Sequence, residues 1–346
     1  MHRRPGLELR GRAGLSREAQ GARREIGPET RPGRTCPVAY RYSPRVFDRE
    51  PEIRADTVYV VGGLYGNVEA LEAVSALAAR EPGPVTLVFN GDFHWFDVDD
   101  ADFARVTREV LLHSALRGNV ETEIAGADSG AGCGCAYPLD VSDAEVSRSN
   151  EILGRLRATA ARAPELRARL GALPMHLVAR VGAARIGIVH GDAHSLAGWG
   201  FAPERLDDPA HRRWIESALR DARVDAFAST HTCQPALRAF EGGVVANNGA
   251  AGMPNFAGAY FGLLTRIGVR PSAGPERLYG VEAAGAHVEA LRIDYDSARW
   301  MERFLAAWPE GSSAHASYFS RIRLGTRFTL AQAAPRAPFA HLGRPP

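Results

Sequence analysis

Short apolar runs recur along the chain, and each stops at a polar residue. Val58–Gly62 leads into Gly63-Leu64-Tyr65-Gly66-Asn67. The run at Val85–Asp92 ends in Asn90-Gly91-Asp92, and Leu116 leads into Arg117-Gly118-Asn119. Ile186–Val189 leads into His190-Gly191-Asp192, and Val224–Ala228 into Ser229-Thr230-His231. Runs of this length, rich in β-branched residues, predict buried strands. Between the first two, Val68, Leu71, Val74 and Leu77 fall at near-helical spacing, and Pro82-Gly83-Pro84 closes the connection. That pattern predicts a βαβ unit with a parallel pair. Further helices are predicted over Asp102–Ser114, from the capping box at Ser142-Asp143-Ala144-Glu145, from Pro164, from Asp208-Pro209 to Ala222, and over Ala298–Trp308. Ala115–Asn119, Phe261–Ile267 and His287–Tyr295 read as strands, and His176–Val181 with Arg185–Val189 and Leu237–Phe240 with Val244–Ala246 as hairpins. In α/β sheets, ligands bind at the carboxyl ends of strands. Asp92, Asn119, His190 and His231 are therefore expected to converge on one site.

The pattern also divides the chain. Residues 1–35 are rich in Arg, Gly and Glu without periodicity and are expected to be disordered. Residues 36–308 form one domain, with 126–172 a Gly-rich loop plus helices inserted near the site, and 309–346 a loosely attached tail. The Gly126–Cys135 loop lacks the Gly-Lys-Ser/Thr ending of a P-loop. The insert's Arg148, Arg155, Arg157, Arg162, Arg167 and Arg169 read either as a solvated helical face or as a surface that holds an anionic substrate.

Composition narrows the chemistry. A formal net charge of +2 over 346 residues argues against bulk nucleic-acid binding. Every Lys/Arg position is Arg, which excludes a lysine nucleophile. Cys36, Cys133, Cys135 and Cys233 are too few and scattered for a disulfide scaffold. No apolar run approaches the roughly 20 residues of a membrane span, and no secretory h-region is present. A soluble, cytoplasmic protein is expected, with no membrane partner.

Carboxylate, amide and imidazole ligands suit Zn, Mn or Fe. Such an ion can polarise a phosphoryl oxygen and acidify bound water. The same residues resemble the calcineurin-like metallophosphoesterases. Gly66-Asn67-Val68-Glu69-Ala70-Leu71 resembles the end of that family's first motif, Asp-x-His-Gly-Asn-x-x-Ala-Leu. Asn90-Gly91-Asp92 resembles its Gly-Asp motif, and Arg117-Gly118-Asn119-Val120-Glu121 its Arg-Gly-Asn-His-Asp/Glu motif. His190-Gly191 resembles its His-Gly motif, and Thr230-His231-Thr232-Cys233 its Gly-His-Thr-His motif. The loop Asn247–Pro254 resembles Asn-Pro-Gly-Ser-Val-Gly-x-Pro. The order holds across Thr57–Gly268. The resemblance implies an α/β fold, a two-sheet β-sandwich flanked by helices (αββα), with a dimetal phosphoesterase site at the strand ends.

It also implies that one half-site is whole and the other dismantled. The ligands of one metal are present as Asp92, Asn119, His190 and His231. The other metal's further ligands fall on Gly63, Tyr65 and Cys233, and the family's catalytic His falls on Val120. Three readings follow. One metal remains in a hydrolase of altered mechanism, with His94, Asp192 and His194 as candidate proton-transfer groups. Or a second metal is rebuilt with Cys233, Cys133, Cys135 and Tyr65. Or the chain is a non-catalytic module that binds a phospho-ligand or a protein. Decay without selection would damage both half-sites, so the asymmetry favours the enzyme readings. The expected cofactor is one or two divalent ions per chain, and the expected substrate a phosphomonoester, a phosphodiester or a nucleotide. Arg117, Trp199 and Asn67 are candidate substrate contacts, and Trp95, Phe96 and Phe201 either stack on a base or pack as a rim.

Overall fold

The computed structural model describes residues 31–127 and 130–336. After two 3-10 turns at Val38–Tyr40 and Pro44–Phe47, its strands and α-helices run β1 (Ile53–Ala55), β2 (Thr57–Val61), α1 (Val68–Ala79), β3 (Thr86–Asn90), α2 (Asp100–Val110), β4 (Ser114–Leu116) and α3 (Asn119–Ala125). Then come α4 (Asp143–Ala161), α5 (Pro164–Gly171), β5 (His176–Val181), β6 (Ala184–Val189), α6 (Pro203–Leu206), α7 (Arg212–Ala222), β7 (Ala226–Ser229), β8 (Pro235–Phe240) and β9 (Gly243–Asn248). The last are β10 (Gly262–Gly268), β11 (Arg277–Ala283), β12 (Ala286–Ile293), α8 (Ser297–Ala307), α9 (Ser313–Leu324) and α10 (Leu330–Ala333).

The strands form two six-stranded sheets, in the orders β11-β12-β10-β2-β3-β4 and β1-β5-β6-β7-β9-β8. β2, β3 and β4 run parallel, as do β6, β7 and β9. Strands buried on both faces carry near-continuous apolar sequence, which is why the runs at 58–62 and 85–89 do not alternate. Alternate side chains nevertheless divide between two cores. Val58, Val60 and Val88 face Ile186, Ile188, Ala226 and Val244 between the sheets. Tyr59, Val61, Leu87 and Phe89 point outward onto α1, α2 and α8. Val189, Phe227 and Val245 point the other way, onto Ile215, Ala218 and Leu219 of α7. The result is the expected αββα sandwich.

The helical insert is bolted to this body. Arg162 pairs with Asp100, Arg157 with Glu123, and Arg167 donates to the Ile124 and Gly126 carbonyls. Arg155 lies 4.0 Å over the Trp308 ring. Arg155, Arg162 and Arg169 are exposed, as the solvated-face reading expects, while Arg148, Arg157 and Arg167 are half-buried and serve as tethers.

The chain ends also depart from expectation. The expected extension 1–35 lies outside the described residues as far as residue 30. Arg34, within it, is buried and holds Pro138 O, Val141 O and Asp143. The segment after 308, expected as a loose tail, contains α9, which packs on α4 through Arg148–Ser317. Arg238 clamps α10 by donating to the Gln332, Ala333 and Ala334 carbonyls. Residues 337–346 lie outside the described residues.

Candidate metal centre

The parallel order of β2-β3-β4 and of β6-β7-β9 brings the carboxyl ends of both sheets to one edge. Asp92 follows β3, Asn119 opens α3 just beyond β4, His190 follows β6 and His231 follows β7. Asn90 stitches the sheets here by donating through Nδ2 to the Val189 carbonyl at 2.9 Å. The four side chains meet as expected. They are 5%, 1%, 0% and 6% exposed respectively, so they are withdrawn from bulk water.

Hydrogen bonds to carbonyls define the imidazole tautomers. His190 Nδ1 lies 3.0 Å from the Asn90 carbonyl, so that nitrogen carries the proton. His231 Nε2 lies 3.1 Å from the Cys135 carbonyl, so it does likewise. The remaining nitrogens, His190 Nε2 and His231 Nδ1, then face each other at 3.1 Å with lone pairs. Asn119 Oδ1 is 3.0 Å and Asp92 Oδ1 3.3 Å from the same His190 nitrogen. Asn119 cannot turn its amide nitrogen inward, because Nδ2 donates to the Cys133 carbonyl at 3.0 Å. Four electron pairs thus converge with no proton of their own between them, an arrangement that repels itself unless a cation sits among them. Asp92, His190 and His231 place ligand atoms within 4.8 Å of one another, and they form the only such His/Cys/Asp/Glu group among the described residues. The donor set fits one borderline divalent ion.

The electrostatics draw a positive charge to His190, so a proton on Nε2 competes with an ion for this place. Burial pulls His190 down, but Asp92 and the Asn90 carbonyl outweigh it and hold its pKa above the usual value. Burial and the neighbouring His190 push His231 down to about 3. Glu121, absent from the expected site, supports the cluster from beneath. Its Oε2 accepts from the backbone N–H groups of Asp92 (2.8 Å) and Gly118 (2.9 Å), and its Oε1 from that of His94 (3.3 Å). These bonds hold Asp92 at a φ of +52°, and His231 stands at +44°. Left-handed backbone at non-glycine residues persists where the surroundings over-determine it, and it gathers at functional sites. The signal for Glu121 was its place in Arg117-Gly118-Asn119-Val120-Glu121.

The second half-site is filled rather than empty. Tyr65 is buried and its ring lies over Gly63: a Cβ on that glycine would stand 2.9–3.0 Å from ring carbons and Oη. Tyr65 Oη is 2.6 Å from Cys233 Sγ. Burial raises the Tyr65 hydroxyl well above its ordinary value and raises the Cys233 thiol, so both are neutral near pH 7. Cys133 and Cys135 pack in the hydrophobic core with α4. Their loop serves the cluster chiefly through its carbonyls: Asn119 Nδ2 bonds to Cys133 O with Cys135 Sγ a longer contact at 3.6 Å, and His231 and Trp199 Nε1 bond to Cys135 O.

The remaining candidates are engaged elsewhere. His94, a candidate proton-transfer group, is buried away from the cluster, bonded to Asp97 at 2.6 Å and Thr107 at 3.0 Å, and stacked on Phe103. Asp192 caps its own loop, accepting from the His194, Ser195 and Gly200 N–H groups. His194 packs on Trp214. Asn67 caps α1 by accepting from Ala70, and it donates to Gly252 O. Arg117 donates to Gly171 O. Trp95, Phe96 and Phe201 are core residues. Trp199 alone of these stands at the site, its ring centroid 5.4 Å from that of His231.

No protein-family profile and no curated protein matches the chain. Solved structures do. The metallophosphoesterase of Sphaerobacter thermophilus aligns with 79% of this chain and 100% of its own, at 16% identity and a TM-score of 0.52. A hypothetical protein of Pyrococcus horikoshii OT3 aligns with 79% of this chain and 99% of its own, at 18% identity and a TM-score of 0.54. The chain has the metallophosphoesterase fold, as its motifs implied. Among the described residues no helix is long and apolar enough to cross a membrane.

Proposed function

We propose that this chain is a hydrolase of phosphate esters that works with one divalent ion, Zn, Mn or Fe, held by Asp92, Asn119, His190 and His231. The observation that carries the reading is the convergence of four lone pairs on one point beside a second half-site filled by neutral groups. A bound ion would polarise a phosphoryl oxygen and lower the pKa of a water. The chain's own residues do the rest. Asp92 contributes the cluster's negative charge, Glu121 holds Asp92 in its strained backbone, and the Cys133–Cys135 carbonyls fix the orientation of Asn119 and His231. Val120 brings no proton to a leaving group, so esters whose leaving group departs without one, such as aryl phosphoesters and phosphoanhydrides, are the favoured substrates. The cytoplasm is the proposed location.

A second reading is supported by the burial of the ligands under the 131–137 loop and Trp199: a non-catalytic module in which one ion pins the fold and the surface binds a phospho-ligand or a protein. Metal content per chain, measured by inductively coupled plasma mass spectrometry on protein purified without a metal-affinity tag, tests the site. Turnover of bis(4-nitrophenyl) phosphate separates the readings. About one ion with turnover supports the hydrolase, and one ion without turnover supports the module. No ion after incubation with Zn, Mn and Fe refutes the metal centre.

A further inference from the structure

The four ligands are buried, so neither an ion nor a substrate reaches them while their cover stays in place. Part of that cover is the 131–137 loop, whose Cys133 and Cys135 carbonyls bond to Asn119 and His231. The loop belongs to no helix or strand, and Gly132, Gly134 and Ala136 all stand at positive φ. It is held from outside by the segment that precedes β1. Gly33 N donates to the Ala131 carbonyl at 2.7 Å, and Tyr137 N to the Gly33 carbonyl at 2.9 Å. Arg34 donates to the Pro138 and Val141 carbonyls at 2.7 and 2.6 Å and pairs with Asp143 at 2.7 Å. Asn150 of α4 completes the latch, accepting from Cys133 N at 2.9 Å and donating to Pro32 O at 3.1 Å. The same segment then reaches the loop that follows His190. Leu196 N donates to Tyr40 O and Tyr42 N to His194 O, at 3.0 and 2.9 Å, and Tyr42 Oη donates to Asp192 O at 2.8 Å. Tyr40 is buried against Leu196 and Ala197, whereas Val38 and Ala39 are exposed. Residues 31–42 thus span two walls of the centre, packed firmly at Tyr40–Tyr42 and held at Gly33–Arg34 by a few hydrogen bonds. The Arg34 ion pair adds little, because the Asp143 side chain is 69% exposed. A segment held this way sits at the low end of local stability.

We propose that residues 31–35 and the 131–137 loop open together as a strap over the metal centre, hinged at the exposed Val38–Ala39, and that this opening sets the rate at which ions and phosphate esters enter and leave. The proposal rests on the reading of Asp92, Asn119, His190 and His231 as ligands. Opening takes the Cys133 and Cys135 carbonyls away from Asn119 and His231, so access and ligand orientation change together.

The test follows release of Zn from the full, Zn-loaded chain into excess 4-(2-pyridylazo)resorcinol, a rate that tracks the open population when opening is fast relative to capture. Arg34→Ala should speed release by about ten- to hundredfold, the range for losing a charge-assisted hydrogen bond, and Asn150→Ala should shift it in the same direction. Hydrogen exchange read by mass spectrometry needs no metal: in Arg34→Ala, peptides over 31–36 and 130–138 should lose protection together while β5 and β6 keep theirs. Arg238→Ala, which frees α10 from the edge strand β8, controls for general destabilisation and should release Zn at the wild-type rate. Wild-type release in both Arg34→Ala and Asn150→Ala overturns the proposal, as does equal acceleration by Arg238→Ala or loss of protection in β5 and β6 along with the strap. A chain that takes up no Zn refutes the metal centre and the strap's role with it. Strap-dependent release without turnover of bis(4-nitrophenyl) phosphate would sink the hydrolase reading and leave the strap standing. Turnover with release unmoved by either strap variant would do the reverse.

Discussion

Putting a carboxylate back at position 63 tests whether the second half-site is blocked by packing. Gly63 sits at a φ of +65°, and a Cβ there would press on Cε2, Cζ and Oη of Tyr65 at 2.9–3.0 Å. Left-handed backbone at a non-glycine residue costs about 1–2 kcal/mol. Displacing a buried ring and breaking its contact with Cys233 adds about 1–3 kcal/mol. Gly63→Asp alone should therefore lose about 2–5 kcal/mol, read as a lower urea midpoint, and should still hold one ion. Adding Tyr65→His removes the ring and supplies a ligand, and Cys233→His supplies another. The triple variant should bind about two ions per chain by mass spectrometry. Gly63→Asp with an unchanged midpoint would refute the steric argument. A triple variant that still binds one ion would show that something other than these three positions excludes the second.

Other expectations follow from single contacts. His190→Ala and His231→Ala should each lose stoichiometric metal after dialysis, and wild-type content in both would refute the ligand assignment. Glu121→Gln turns an amide N–H toward backbone donors, which should cost about 1–3 kcal/mol in a denaturant melt and weaken metal affinity by roughly 10–100-fold. Cys133→Ser with Cys135→Ser should leave metal stoichiometry unchanged, since the loop acts through carbonyls; a drop would restore the thiols as ligands. His176 has its pKa pushed down to about 4 by burial and by Arg49. The folded state thus refuses a proton that the unfolded chain accepts at its ordinary value near 6.5. The stability this confers is full above that value and is lost as pH falls through about 4. After allowance for partial exposure, the loss is about 2 kcal/mol. His176→Phe should flatten this part of the pH–stability curve, measured by urea midpoints at pH 7 and 4.5, and an unchanged slope would refute it.

The strand exits were readable because a parallel sheet needs continuous apolar runs, and a polar residue at the end of such a run has few structural duties there. That logic located Asp92, Asn119, His190 and His231. It failed for His94 and Asp192, which also follow strands but bond to neighbours two to thirteen residues away. Local loop closure uses the same polar residue types as chemistry does, and sequence spacing does not separate the two. β11 escaped notice because one face is open to solvent and the run is broken by Arg277, Gly280 and Glu282. The docking of α9 was hidden for a different reason: it is a contact with α4 between elements more than 150 residues apart, and no local pattern encodes it.

The two half-sites differ in a way that sequence identity at the ligand positions does not convey. At Gly63, Tyr65 and Cys233, three departures act as one structure: the glycine makes room, the ring fills it, and the thiol bonds to the ring's hydroxyl. Independent losses would leave a hole or an unpaired buried group, and either would cost stability. Here the gap is closed and its polar atoms are paired. Tyr65 at +57° and Cys233 at +58° still occupy left-handed backbone, a strain borne by the filled half-site as well as by the intact one. Both halves are thus held under constraint. That fits a site rebuilt around one ion better than a scaffold on which the ligands merely persist.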